Sequence, residues 1–107
     1  MLHEALAQYL ARVEQAILRC SNAYVERYTE EILTPQRANL RIRLRFERGH
    51  LLEINEAVVV VDDSLVPLDY RYNRQDTHNQ VIFRYDSTPN GLKPNDINYA
   101  LLLLWKI

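Results

Sequence analysis

Arg71, Arg84 and Asp86 are the residues whose types and spacing could act together on a phosphate. Arg84 and Asp86 are two apart, so in a strand both point to one face. Arg71 precedes them across a polar turn, Gln75 to Asn79. Such a set can hold a phosphate on its guanidiniums while the carboxylate serves as base or hydrogen-bond acceptor. RNA cleavage without a metal needs a base for the ribose 2′-hydroxyl and cationic stabilisation of the phosphorane, and Tyr, Asp, Glu and Arg can divide those roles. Arg-x-Asp is a weak signal as a bare spacing.

Glu56 is a fourth candidate. It shares parity with Leu52, Ile54, Val58 and Val60, which read as core residues. Burial would raise its pKa and suit it to general acid or base work. A bulge that turns it outward, or an arginine that satisfies it, is the more usual outcome.

Arg41, Arg43 and Arg45 alternate with Leu40, Ile42, Leu44 and Phe46. Together with Arg71 and Arg84 they form a basic sheet face able to grip phosphates through guanidinium forks. Tyr72 and Tyr85 at its rim would stack on unpaired RNA bases. Without a ligand the same face is a solvated one, its arginines paired with Glu and Asp of neighbouring strands.

These side chains need a scaffold. With 107 residues the chain suits one domain, residues 1–107, and one modest core. A formal net charge of −1 gives no global pull towards nucleic acid or anionic membrane, so any basic face is local. The single cysteine, Cys20, excludes an internal disulfide, reads as a structural residue and fits a reducing cytoplasm. It and the scattered His3, His50 and His78 lack ligand spacing, so neither metal nor other cofactor is expected. The histidines are expected to be exposed. Glu4, Gln8, Arg12 and Glu14 interrupt any signal-peptide core, and the apolar run from Ala100 to Trp105 is too short to span a membrane.

Leu2, Leu6, Tyr9, Leu10, Val13, Ala16, Ile17 and Cys20 recur at helical spacing and predict a helix over residues 2–20. Alternation then predicts five strands: Tyr24–Leu33, Asn39–Glu47, Leu51–Val61, Val66–Arg74 and Gln80–Asp86. Residues 90–107 form a separate C-terminal segment, in which Asn95–Trp105 is open between a short helix and an added strand. The expected fold is α+β, the N-terminal helix packed on one face of an antiparallel meander of about five strands. The arginines would occupy the other face, provided no bulge reverses the parity.

Several stretches carry a resemblance. Leu40-Arg41-Ile42-Arg43-Leu44-Arg45-Phe46, Gly49, Leu51-Leu52-Glu53 and Glu56-Ala57-Val58 are followed by Tyr70-Arg71-Tyr72, Gln75-Asp76, Phe83-Arg84-Tyr85-Asp86 and Pro89. Over residues 38–89 this order resembles the small TumE-like toxins of prokaryotic toxin–antitoxin loci. Such toxins typically continue into a histidine-rich tail, whereas no histidine follows His78 here. The resemblance implies a toxin neutralised by a cognate antitoxin protein. The arginine and tyrosine face adds RNA as target and a metal-independent ribonuclease as the activity. A non-catalytic RNA- or protein-binding module is the alternative that the missing histidines favour. The oligomeric state is open, a homodimer included.

Overall fold

The computed structural model describes residues 1–86. Helix α1 spans Glu4–Leu18 and is followed by strands β1 (Ala23–Thr34), β2 (Arg37–Phe46), β3 (Leu51–Val61), β4 (Ser64–Gln75) and β5 (Val81–Asp86). The strands pair antiparallel in chain order, β1-β2-β3-β4-β5. The predicted meander and its helix are therefore observed, with element ends moved by one or two residues. The segment predicted from Asn95 to Trp105 lies outside the described residues.

Short turns set this order. Asp62 and Asp63 both have positive φ, +50° and +62°, and close the β3–β4 hairpin as a two-residue loop. That left-handed pair matches the twist of the flanking strands. Asp76 organises the β4–β5 turn, its Oδ1 accepting from the backbone N–H of His78 and Gln80. These donors hold its carboxyl below the usual carboxylate range. Gly49 turns the chain between β2 and β3 at φ +87°, and a Cβ there would lie 2.9 Å from Thr77 Cγ2.

The stripe Leu6, Tyr9, Leu10, Val13 and Ile17 of α1 is buried against Leu40, Ile42 and Leu44 of β2, Ile54 and Val58 of β3, and Tyr70 and Tyr72 of β4. Removing these side chains from water is the main favourable term, at roughly 25 cal/mol per Å² of apolar surface. His3 caps the helix, its Nδ1 accepting from the Ala5 N–H at 3.0 Å. Its Nε2 reaches Asp63 in the β3–β4 turn at 3.1 Å. His3 is thus half-buried and structural, where an exposed residue was expected. His50 is half-buried too, while His78 is exposed as expected.

Four register shifts interrupt the ladders, one of them at Leu33 near the end of β1. Val25 pairs with Leu44 but Arg27 with Arg43, which leaves Glu26 as the extra residue of β1. The unbroken alternation read from Tyr24 onwards is therefore reversed at Glu26. Tyr24 stands opposite Arg45, whereas Tyr28 stands opposite Ile42 on the helix side. Leu68 is the extra residue of β4 and Ile82 that of β5. None interrupts β2, β3 or the part of β4 from Asp69 to Arg74, so the parity of the arginines survives.

Candidate functional site

The face of the sheet away from α1 is built of cross-strand rows. One runs Thr29, Arg41, Asn55, Arg71 and Asp86 from β1 to β5. The next runs Arg27, Arg43, Glu53, Asn73 and Arg84. Five expected residues, Arg41, Arg43, Arg45, Arg71 and Arg84, thus belong to one face, and Asp86 stands opposite Arg71 in the register.

The arginines divide into two groups. Arg43 donates through Nε to Glu26 Oε1 at 2.8 Å, and Arg45 through Nε to Glu26 Oε2 at 3.2 Å. The bulge on β1 delivers this carboxylate between the two guanidiniums. Arg45, then Arg43, holds the Glu26 carboxyl below its usual range. Arg43 also lies 3.6 Å from Glu53, and Arg45 donates to the Gly49 carbonyl at 3.2 Å. Arg41, Arg71 and Arg84 are exposed and form no ion pair among the described residues.

Glu53, Asn55, Arg71, Asn73, Gln75 and Arg84 line one concavity of about 450 Å³. Among the described residues its walls are polar and include no aromatic side chain. Asn73 is 8% exposed, and its buried Oδ1 has no hydrogen-bond partner among the described residues. A recessed acceptor between two arginines, facing a carboxylate, is a site that can receive an anion together with a hydrogen-bond donor. Sequence reading assigned no role to Asn73, Gln75 or Glu53. Their signal is the β3–β4–β5 register, which places Glu53, Asn73 and Arg84 in line.

Glu56 and Tyr72 do not join this site. Glu56 is 5% exposed and lies beneath α1, on the opposite face from Arg71 and Arg84. No bulge rotates it and no arginine satisfies it; instead the hydroxyls of Tyr9 and Tyr72 donate to its two oxygens. Burial pushes its pKa up, and the two hydroxyls oppose that shift. The same burial, with the adjacent carboxylate, raises the Tyr9 phenol. Tyr72, expected to stack on bases at the rim, is 2% exposed and packs its ring on Tyr70 at 5.3 Å between centroids. A residue aligned with Ile54 in the register faces the core, so its ring is closed to RNA. Tyr85 pairs with Tyr72 in the register, and the side chains of Tyr85 and Asp86 lie outside the described residues.

Among the described residues no cluster of His, Cys, Asp and Glu is placed to hold a metal ion. No described helix is long and apolar enough to cross a membrane. Cys20 is half-buried and donates its thiol to the Ala16 carbonyl at 3.4 Å; burial raises its pKa.

In comparisons with known proteins, no curated protein and no solved structure matches. A family model does match, over residues 13–98, and its description is Toxin TumE. The match takes in α1 from Val13, all five strands and both arginine rows. Membership in that family implies a toxin–antitoxin system and a cognate antitoxin as partner. The chain belongs to the TumE toxin family.

Proposed function

We propose that this toxin acts on RNA in the cytoplasm as a metal-independent ribonuclease, using the sheet face away from α1. The observation that carries the reading is that Arg71 and Arg84 line one concavity with no ion pair among the described residues. Guanidiniums so placed are available to phosphate oxygens. Arg41, Arg43 and Arg45 continue the cationic track across β2. In the proposed reaction Asp86 takes the proton of a ribose 2′-hydroxyl. The 2′-oxygen then bonds to phosphorus, the bond to the 5′-oxygen breaks, and that oxygen takes a proton from water. Arg71 and Arg84 stabilise the charge gathered on the phosphorane.

The test is cleavage of a labelled RNA in EDTA by wild type, Asp86→Asn and Arg84→Ala, with binding measured separately. Wild type should cleave, and Asp86→Asn should bind RNA but lose about 10²–10⁴ in rate. Equal cleavage by Asp86→Asn removes Asp86 from the mechanism. Binding by wild type without cleavage, in EDTA and with added metal, identifies a non-catalytic RNA-binding module instead.

A further inference from the structure

We propose that the concavity beside Arg71 and Arg84 is a ribose–phosphate subsite in which Asn73 selects RNA over DNA. It does so by accepting a hydrogen bond from a ribose 2′-hydroxyl. The inference rests on the RNA reading above and names the interaction that makes it specific.

Three observations converge on it. The first is the orphan acceptor. Asn73 Oδ1 is buried without a partner among the described residues, although Glu53 and Arg84 flank it in the register and Arg71 is its neighbour along the face. A buried carbonyl left unpaired is costly and is rare in folded proteins. A ligand donor would satisfy it. The torsion that aims a carboxamide is broad, so the group can turn to meet such a donor.

The second is the lining. Glu53, Asn55, Gln75 and the two arginines offer charge and hydrogen bonds but no ring. A nucleobase gains most of its sequence-tolerant affinity from stacking on aromatic side chains, and none of the described residues lining this cavity is aromatic. The sugar–phosphate backbone suits these walls better than a base does.

The third is the placement of charge. Arg84 stands across β4–β5 from Asn73, and Arg71 lies two residues before it on the same face. A phosphodiester held by both guanidiniums brings its ribose close to the amide between them. The 2′-hydroxyl is a compact donor beside the phosphate, and it is the group that distinguishes RNA from DNA.

The experiment measures dissociation constants of the full chain for one labelled single-stranded sequence made as RNA, as DNA and as 2′-O-methyl RNA. Oligonucleotide integrity is checked on a gel. The 2′-O-methyl form keeps the oxygen but removes the donor. Wild type should bind RNA about 2- to 10-fold more tightly than either other form, the range of one hydrogen bond. Asn73→Ala should bring the three affinities within about twofold, mainly by weakening RNA. Asn73→Ser serves the same comparison if the alanine variant does not fold. If RNA and DNA bind wild type equally, or if the preference survives in the folded variant, the RNA face stands and the Asn73 assignment falls. If none of the three binds, both readings fall. If 2′-O-methyl RNA binds as RNA does, Asn73 is not accepting from the hydroxyl, and the assignment falls.

Discussion

Tyr9 of α1 and Tyr72 of β4 donate their hydroxyls to the two oxygens of the same carboxyl group, that of Glu56 on β3. One acidic side chain thereby ties the helix to two strands in the interior of the molecule. Its titration contributes to how stability varies with pH.

Because burial raises the folded pKa of Glu56, the folded state holds its proton more tightly than the unfolded state does. Below the unfolded value, about 4.3, both states are protonated and the contribution is complete. As pH rises from there through the folded pKa, the unfolded state loses its proton first and stability falls. Glu56→Gln keeps an acceptor for Tyr9 and a donor towards Tyr72 without a charge. Its stability should exceed that of wild type increasingly as pH rises, read by urea unfolding across a pH series. A constant difference at all pH values would show that Glu56 does not titrate in that window.

Leu44 is 1% exposed and packs in the centre of the core. Leu44→Ala should destabilise by roughly 2–5 kcal/mol through the lost transfer term and the cavity left behind. Chemical denaturation measures it, and a loss below about 1 kcal/mol would contradict close packing of α1 on β2.

The two groups of arginines should differ in function. Arg71→Ala or Arg84→Ala should weaken RNA binding and lower the salt slope by about 1 for each phosphate no longer neutralised. Arg43→Ala should cost less, since Glu26 and Glu53 already occupy that guanidinium. Titrations at three salt concentrations separate them, and equal losses at all three positions would argue against this division.

Glu26→Gln follows from the same pairing. It removes the negative charge shared by Arg43 and Arg45. RNA affinity should rise while the melting temperature changes little, because exposed ion pairs contribute little to stability. Unchanged affinity would mean that these two arginines take no part in binding.

The hairpin of β2 and β3 was legible from sequence because β2 alternates strictly and one glycine turn separates it from the apolar run of β3. Its arginine face followed for the same reason. The bulge at Glu26 was not legible, since an extra residue leaves the alternation of types intact while reversing the faces. Glu56 was recognised as an odd core position, but its partner Tyr9 lies 47 residues away on another element. The alignment of Asn73 with Glu53 and Arg84 came only with the register. Periodicity describes one strand at a time, and a site built across three strands depends on how they are aligned.

Strand order has a consequence for how the core is assembled. Every strand pairs with its neighbour in the chain, so each pairing closes through a short turn. Closing short loops costs little entropy, and topologies dominated by local pairings fold quickly. Helix α1 precedes the sheet in the chain, yet its buried stripe has nothing to cover until the core residues of β2, β3 and β4 exist. Burial of that stripe therefore depends on the core residues of all three strands.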